Sequence, residues 1–401
     1  MSPVDALLVV GGGPAGHAAA LAFRAAGGTG PVRILSADED PPYNRPPLSK
    51  DYLRGETGED ELPLSAEDGG PDTELDPDTD PDITVEVGES VIALDPAART
   101  VDLASGRTLS YRTLVLAVGM EPVTLPVPGG DHPAVHTLRF LAQARALRGS
   151  AEDARTAVVV GSGFIGCEAA VSLARRGVSV TMVSPQDTPQ EKRLGAEVGR
   201  RLAGWLDDEG VRLLGGRSVE RIEDGRTVVL TDGSTLTADL VLAAVGVRPV
   251  TGFVQDAGVA VQEGRIVVDE HMRTSFPGIW AAGDAVLARN AAAGRHLAVE
   301  HWGEALAMGE VAGRQAAGDG TAAWSAVPGF WSEIGDRTLK YAAWGDGFDD
   351  VTVVDHAGGE PGAFTAWYAR DGVLVGVLAH GADEDYERGG ELVGEGAPAR
   401  D

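Results

Sequence analysis

The sequence predicts an α/β fold built around two parallel sheets and followed by a smaller α+β unit. The first reason is an internal repeat: residues 6–35 and 157–183 each contain an apolar strand, a glycine-rich turn, an alanine-rich helix and a second strand. These strands are short and apolar throughout, which is typical of parallel strands covered by helices on both faces. From about residue 323 the pattern changes, and 364–381 is typical of a hairpin with an Asp371-Gly372 turn.

The composition of the chain excludes several kinds of partner and site. The chain has 401 residues, a formal net charge of -28 and one cysteine, Cys167. The charge argues against nucleic acid and anionic membranes as partners, because both require a basic face. A single cysteine excludes a disulfide framework and a CxxC redox pair, and the histidines show no ligand spacing, so we expect no metal site. The sequence has no apolar run of roughly 18 residues and no signal peptide, so we expect a cytoplasmic protein, either monomer or homodimer.

Two segments depart from the globular pattern. Residues 56–82 carry twelve Asp and Glu and no Lys or Arg, so this segment cannot bury enough apolar area to offset its ordering entropy. We therefore expect an acidic surface loop there. Residues 394–401 are expected to form a flexible tail.

The first glycine motif follows a strand and opens a helix. Gly11 permits a tight turn, Gly13 lets the backbone approach a pyrophosphate, and Gly16 allows the helix to pack closely on the strand. Pro14 and Ala15 begin the helix, whose unsatisfied N–H groups favour a phosphate. This context predicts a Rossmann-like dinucleotide-binding unit.

The second glycine motif has the same context. Gly161, Gly163 and Gly166 repeat the spacing, and Ile165 lies in the first turn of the helix that follows. Two such units in one chain predict two dinucleotides, or one hydride donor and one flavin.

An acidic residue after the second strand of each unit would bind a ribose diol. Asp38 is the candidate in the first unit, with Glu39 a weaker one, whereas Ser184 takes that place in the second unit. Because Ser184 is not a carboxylate, the sequence does not enforce NADH over NADPH. Lys192 and Arg193 could bind a 2′-phosphate, or they could be solvated loop cations.

A longer segment carries a family resemblance. PPYNRPPLSKDYLRGE (41–56) resembles the segment that flavoprotein ferredoxin reductases of oxygenase systems place over the flavin, and apoptosis-inducing-factor-like proteins share it. Further segments resemble the other signatures of that family: TLVLAVGMEP (113–122), VVVGSGFIGCEAA (158–170), VGVRPVT (245–251), TSFPGIWAAGDA (274–285) and VEHWGEALAMG (299–309). The resemblance covers essentially the whole chain. It implies a glutathione-reductase-like fold with an FAD domain (1–122 and 246–322), an NAD(P) domain (123–245) and a C-terminal α+β domain (323–393).

The resemblance also implies roles for individual residues. Arg45 would bind the flavin pyrophosphate and Lys50 the flavin O4/N5 edge. Asp284 would accept a hydrogen bond from a ribitol hydroxyl. Glu168 would face the nicotinamide and align its carboxamide, and Trp302 would lie along the flavin. Six further residues of these segments are expected at the cofactors: Ala117, Gly119, Gly246, Gly283, Glu300 and His301.

The implied activity is that of an oxidoreductase with non-covalent FAD and with NADH or NADPH as co-substrate. Hydride would pass from nicotinamide to flavin, and single electrons would then pass to a small ferredoxin serving an oxygenase. Two alternatives stay open. One is a stand-alone NAD(P)H oxidase, diaphorase or tailoring enzyme with a small-molecule acceptor, and the other is a redox-sensing interaction protein.

The chain departs from the family pattern at several places, and the last of them along the chain, in the C-terminal domain, lies where the ferredoxin would be expected to dock. Val118 replaces a threonine, Val250 replaces an asparagine, and FWSEIGDRTLKYAAWG (330–345) differs from the usual FWSDQYD. Ferredoxins of this kind are acidic, so docking on this acidic chain needs a local basic or apolar surface. We expect that surface around the residues Trp302, Trp331, Arg337 and Lys340, with the acidic loop directed away from it.

Overall fold

The computed structural model of the chain describes residues 4–64, 80–357 and 360–399. The expected acidic loop at 56–82 therefore lies largely outside the described residues. At its edges, Leu62 is buried and Glu59 pairs with Arg145 at 2.7 Å. On the far side of the gap, Asp80 pairs with Arg24 at 3.0 Å.

The first part of the chain forms a sheet whose core strands are parallel. Its elements are β1 (Asp5–Val10), α1 (Pro14–Ala25), β2 (Val32–Leu35), a 3₁₀ turn (Pro46–Ser49), α2 (Asp51–Arg54), a second 3₁₀ turn (Glu59–Glu61), β3 (Ile83–Glu86), β4 (Val91–Asp95), β5 (Thr100–Leu103), β6 (Thr108–Leu116) and β7 (Met120–Pro122). Strands β3, β2, β1 and β6 lie side by side in that order and run parallel. Strand β1 is buried along its whole length, as its unbroken apolar sequence predicts.

The second part repeats this arrangement. Its elements are β8 (Val135–His136), α3 (Leu141–Asp153), β9 (Thr156–Val160), α4 (Phe164–Arg175), β10 (Ser179–Val183), α5 (Glu191–Asp208), β11 (Arg212–Leu214), β12 (Val219–Glu223), β13 (Thr227–Leu230), β14 (Thr235–Thr237) and β15 (Leu240–Ala243). The parallel sheet has the order β11-β10-β9-β15-β8, and β12 to β14 form a separate antiparallel sheet. In both sheets the glycine motif follows a central strand, so each motif lies at the carboxyl edge of its sheet, where α/β proteins bind ligands.

The chain then returns to the first sheet. Its elements are β16 (Val247–Pro249), α6 (Gly252–Asp256), β17 (Val261–Gln262), β18 (Arg265–Val268), β19 (Ile279–Ala281), β20 (Val286–Asn290), β21 (Arg295–Leu297) and α7 (Trp302–Ala317). Strand β19 pairs with β6 and so joins the first sheet, although the two strands are far apart in sequence. Strand β16 pairs with β7 in a separate two-stranded sheet, and β17, β18, β20 and β21 form a four-stranded sheet. Helix α7 packs against α1 without room for side chains: a Cβ at Gly313 would lie 2.1 Å from the carbonyl oxygen of Ala19.

The last part is an antiparallel sheet with one helix. Its elements are β22 (Gly329–Ile334), β23 (Arg337–Ala343), β24 (Asp350–Asp355), β25 (Phe364–Arg370), β26 (Val373–His380) and α8 (Asp383–Glu395). Strands β25 and β26 form the predicted hairpin, and Asp371 and Gly372 both have positive φ, 52° and 75°, as a two-residue turn requires. This sheet shares a buried core with the second part, and the Tyr368 hydroxyl donates a hydrogen bond to the Leu194 carbonyl at 3.0 Å.

The expected tail at 394–401 is ordered as far as it is described. Helix α8 continues to Glu395, and the Leu374 N–H donates to the Ala397 carbonyl at 2.9 Å. The Ala399 N–H donates to the Gly372 carbonyl at 2.8 Å. Backbone pairing with the hairpin was not visible in the polar composition of this segment.

Among the helices of the described residues, none combines the length and the apolar character that crossing a bilayer requires.

Candidate functional site

One cavity of about 930 Å³ runs between the two glycine motifs. All the residues predicted to contact a cofactor line it, except Gly16, which lies beneath the first motif. Of the two alternative 2′-phosphate ligands, Arg193 lines the cavity and Lys192 does not. The fold therefore brings together, in one cavity, residues between positions 11 and 302 that the sequence predicted as cofactor contacts one motif at a time.

The first motif is shaped by close backbone contacts. A Cβ at Gly11 would lie 2.0 Å from the Ala117 carbonyl oxygen, and a Cβ at Gly16 would lie 1.9 Å from the Gly11 carbonyl oxygen. At Gly13, in contrast, the nearest atom to a Cβ would be Nη2 of Arg45, at 3.7 Å. Gly11 and Gly16 therefore make the turn and the packing, while Gly13 leaves space on the cavity side for a pyrophosphate.

In the second motif, too, the first and third glycines make close backbone contacts and the middle glycine is open. Added Cβ atoms would lie 2.2 Å from the Ala244 oxygen at Gly161, and 2.4 Å from the Gly161 oxygen at Gly166. At Gly163 the nearest atom to a Cβ would be Nε2 of Gln190, at 3.9 Å. We call the open space beside Gly13 the first cradle and the open space beside Gly163 the second cradle. Two such spaces fit two dinucleotides.

Arg45 supplies a cation to the first cradle. Its guanidinium lies over the rings of Tyr43 and Phe140, 5.7 and 5.2 Å from their centroids. Burial lowers the Arg45 pKa, and the neighbouring charge of Arg139 lowers it further. No carboxylate of the described residues forms an ion pair with Arg45, so its charge is available to an anion in the cavity.

Asp38 lies at the edge of this cradle. The Tyr43 hydroxyl donates to its carboxylate at 2.6 Å and accepts from the Leu141 N–H at 2.9 Å. Burial raises the Tyr43 pKa well above its usual range, so the hydroxyl stays protonated and holds Asp38 in place.

Lys50 and Glu168 form a buried ion pair in the lining of the cavity. The Lys50 ammonium lies 3.1 Å from Oε2 of Glu168 and also donates to the Pro46 carbonyl. The hydroxyls of Ser49 and Ser332 donate to the two carboxylate oxygens of Glu168, each at 2.6 Å. The sequence assigned Lys50 and Glu168 to different cofactors, and the structure joins them in one cluster. Neither serine was identified from the sequence: Ser49 lies in a segment that carries the family resemblance, and Ser332 lies in the segment 330–345 that departs from the family pattern.

Asp284 and Glu300 each have an arginine partner. Asp284 pairs with Arg139 at 2.6 Å, and Glu300 pairs with Arg265, which also donates to the Asp284 carbonyl. Arg139 was not identified from the sequence. It compensates the charge of Asp284 in a buried position, where an unpaired carboxylate would be unfavourable.

His301 caps α7, immediately before Trp302. Its ring lies 4.5 Å from the ring of Phe330, and its Nδ1 is buried without a hydrogen-bond partner among the described residues. Burial lowers the His301 pKa to about 4, and the charge of Arg193 adds to the effect. The imidazole is therefore neutral near pH 7.

Ser184 is placed differently from the expected ribose ligand. It is fully buried, and its hydroxyl lies 2.7 Å from that of Ser162 in the second motif. Its hydroxyl also accepts from the Gln186 N–H at 3.1 Å, just as the Ser36 hydroxyl accepts from the Asp38 N–H at 3.2 Å. The structural counterpart of Asp38 in the second unit is therefore Gln186, which also lines the cavity.

Comparison with known proteins agrees with this architecture. The sequence profile of the pyridine nucleotide-disulphide oxidoreductases matches residues 5–309. The chain belongs to this family. It is an oxidoreductase that uses FAD and NAD(P)H, which confirms the fold class, the enzyme class and the cofactors predicted from the motifs. Because the chain has a single cysteine, it has no cysteine pair for the disulfide chemistry in the family's name.

The individual relatives include ferredoxin reductases and an apoptosis-inducing factor, which confirms the family resemblance predicted from the sequence. The chain is 33% identical to the ferredoxin reductase subunit of 5,5'-dehydrodivanillate O-demethylase from Sphingobium sp., over 97% of this chain and 93% of the relative. It is 31% identical to human apoptosis-inducing factor 3, over 98% of this chain and 64% of that protein. The structure of a covalent putidaredoxin reductase–putidaredoxin complex matches with a TM-score of 0.89 and 28% identity, covering 99% of this chain and 94% of the other.

Proposed function

We propose that this chain is an NAD(P)H-dependent ferredoxin reductase that supplies electrons to an oxygenase. The observation that carries the proposal is that two dinucleotide cradles open into one cavity, with the Lys50–Glu168 pair between them. The relatives that transfer electrons to ferredoxins support the choice of acceptor. The named domain boundaries and residue roles remain part of this proposal.

The residues of the cavity divide the work of binding and orientation. Gly13 and Gly163 leave room for the two pyrophosphates, and Arg45 adds a cation to the first. FAD held here would supply the capacity to take up a hydride and to release single electrons. Lys50 brings a positive charge to the lining of the cavity, and its ion pair with Glu168 keeps it in position. No side chain has to transfer a proton for this reaction, so orientation and electrostatics are the contributions of the protein.

The mouth of the cavity offers an apolar surface to a protein acceptor. Trp331 is 42% exposed and Val250 is 37% exposed, and both line the cavity. Exposed aromatic residues of this kind are typical anchors of protein interfaces. A ferredoxin seated here would lie beside the cavity that holds the flavin.

A stand-alone oxidoreductase is the second candidate, and one observation favours it. The two cations expected to attract an acidic ferredoxin are already paired: Arg337 with Asp208 at 2.7 Å, and Lys340 with Asp383 at 2.8 Å. These pairs reduce the local positive charge on an already acidic chain, which disfavours an acidic partner.

Stopped-flow spectroscopy separates the candidates. The oxidised holoenzyme is first mixed with NADH or NADPH, and the reduced enzyme is then mixed with a panel of ferredoxins, or with ferricyanide as a control acceptor. A ferredoxin reductase reduces at least one ferredoxin at a rate that exceeds its reaction with oxygen. Rapid turnover with ferricyanide or a quinone, without reduction of any ferredoxin, would contradict the proposal and support the stand-alone enzyme.

A further inference from the structure

We propose that Gln190 and Arg193 bind the pyrophosphate of the nicotinamide dinucleotide, as Arg45 does for the flavin dinucleotide. The inference rests on the proposed function, because it assumes that the second cradle holds NADH or NADPH. It assigns to α5 a binding role that the glycine motif alone does not supply.

The repeat provides the first argument. The space beside Gly13 is bounded by Arg45 at 3.7 Å, and the equivalent space beside Gly163 is bounded by Gln190 at 3.9 Å. In both units, the side chain that lies nearest to the open glycine carries N–H groups. The amide of Gln190 is therefore placed to donate to an anion that occupies the space beside Gly163.

The backbone of Gln190 provides the second argument. Gln190 has a φ of 56°, in the left-handed region that residues other than glycine rarely adopt. Such conformations persist when surrounding structure holds them and are common at ligand sites. Here the conformation starts α5 and leaves the Gln190 amide facing the cavity.

The charge of Arg193 provides the third argument. Its N–H donates to the Gln190 carbonyl at 2.9 Å, so the two residues lie three positions apart on the first turn of α5. On the same helix, Arg200 and Arg201 both pair with Glu197, at 2.6 and 3.2 Å. Arg193 forms no ion pair with the described residues and lines the cavity. In a chain with 61 acidic residues, a cation without a carboxylate partner beside an anion cradle is suited to bind that anion.

The adenosine side of the cradle provides the fourth argument. The Ser184 hydroxyl is engaged by that of Ser162, and Gln186 is neutral, so the cavity-lining residues that follow β10 include no carboxylate that could hold a ribose diol. The pyrophosphate then becomes the main polar anchor. Because NADH and NADPH share it, we infer that this site accepts both.

Isothermal titration calorimetry of the oxidised holoenzyme tests the inference. The probes are ADP-ribose and 2′-phospho-ADP-ribose, which carry the pyrophosphate but no nicotinamide. We expect Arg193→Ala to weaken binding of both probes by about ten- to a hundredfold, because a hydrogen bond to a charged group is lost. We expect Gln190→Gly, which keeps the left-handed backbone, to weaken both by about two- to tenfold. The FAD content should stay unchanged in both variants.

The matched control is Arg200→Ala, which removes the same charge from α5 outside the cavity, beyond the break in the helix at Gly195 (φ 85°). It should leave both dissociation constants within about twofold of the wild type. Equal effects of Arg193→Ala and Arg200→Ala would overturn the inference, and so would a loss confined to 2′-phospho-ADP-ribose, which would make Arg193 a 2′-phosphate ligand. A wild-type holoenzyme that binds neither probe and is reduced by neither NADH nor NADPH would instead contradict the proposed function.

Discussion

At the scale of single residues, binding at the site depends on which atoms are accessible to a ligand from the cavity. Gly13 and Gly163 have ordinary φ values, -81° and -70°, so their backbone would accept a larger side chain. What a side chain would remove is the open space on the cavity side. Ser184, by contrast, lines the cavity, but its hydroxyl is engaged by the hydroxyl of Ser162 at 2.7 Å.

Valine substitutions at the two open glycines should therefore separate the cofactors. Gly13→Val should abolish FAD binding, whereas Gly163→Val should retain the flavin and raise the KM for the nicotinamide nucleotide steeply. Flavin absorbance per chain and steady-state kinetics with ferricyanide measure the two effects. If Gly163→Val lost the flavin and kept nicotinamide binding, the assignment of the two units would be reversed.

Nucleotide preference should respond to Gln186 rather than to Ser184. Gln186→Glu introduces a carboxylate at the structural counterpart of Asp38, so we expect a shift in kcat/KM toward NADH of about one to two decades. Gln186→Asn is the neutral control. Ser184→Glu would place a carboxylate in the buried contact with Ser162, and we expect it to lower the Tm. A change in preference with Ser184→Glu alone would show that the ribose is read at Ser184.

His301 should make stability depend on pH in a defined window. Its folded pKa of about 4 lies below the usual value of 6.5, so the unfolded chain binds a proton between these values and the folded protein does not. Stability should therefore fall as the pH drops from 6.5 to 4, by about 3 kcal/mol at the acid end. His301→Asn should remove this part of the dependence. The check is the Tm difference between the two proteins across this range, and parallel curves would contradict the assignment.

At the scale of elements, the contact between α1 and α7 decides how the first cradle is supported. Gly309 and Gly313 let the backbones of the two helices touch, since added Cβ atoms would lie 2.2 and 2.1 Å from carbonyl oxygens of α1. Helix α1 begins at the first glycine motif, and α7 begins at Trp302. One helix pair therefore positions both the first glycine motif and Trp302.

A pair of glycine-to-alanine variants tests this contact. Gly313→Ala should destabilise the protein by about 1–3 kcal/mol, because the new methyl group forces the helices apart. Gly303→Ala lies on the same helix with no atom within 4 Å of its added Cβ, so it should be neutral or stabilising by up to about 1 kcal/mol. Thermal unfolding compares them, and similar Tm values for the two variants would show that α7 can shift away from α1.

At the scale of the whole molecule, the net charge of -28 opposes docking of the acidic ferredoxin that we propose as the electron acceptor. Trp331 supplies an exposed apolar anchor, but Arg337 and Lys340 share their charge with Asp208 and Asp383. These pairs are partly exposed, so each is worth little by itself and can exchange for contacts with a partner. Docking should therefore depend on ionic strength.

Charge variants at these pairs test the docking surface. Reversal at Arg337 and Lys340 should slow reduction of ferredoxin at low salt, mainly through the association rate, and leave ferricyanide reduction unchanged. Asp208→Asn with Asp383→Asn frees the same cations and should speed ferredoxin reduction. Replacing residues 66–78 by a short linker should leave the ferricyanide rate intact and the ferredoxin rate equal or higher. Unchanged ferredoxin rates in both charge variants would place the docking surface elsewhere.

The sequence by itself determined the two nucleotide-binding units, because each depends on local features: an apolar strand, three glycines at fixed spacing and a helix. The Asp371-Gly372 hairpin was also predictable for this reason, since a two-residue turn needs only neighbouring residues. The cluster of Ser49, Glu168 and Ser332 was decided by the tertiary structure alone. Its hydrogen bonds join residues 119 and 164 positions apart, which no local spacing records. The tertiary structure also decided that Gln190 lies beside Gly163 and that the Ser184 hydroxyl contacts Ser162. Both contacts depend on how separate segments pack around one cavity.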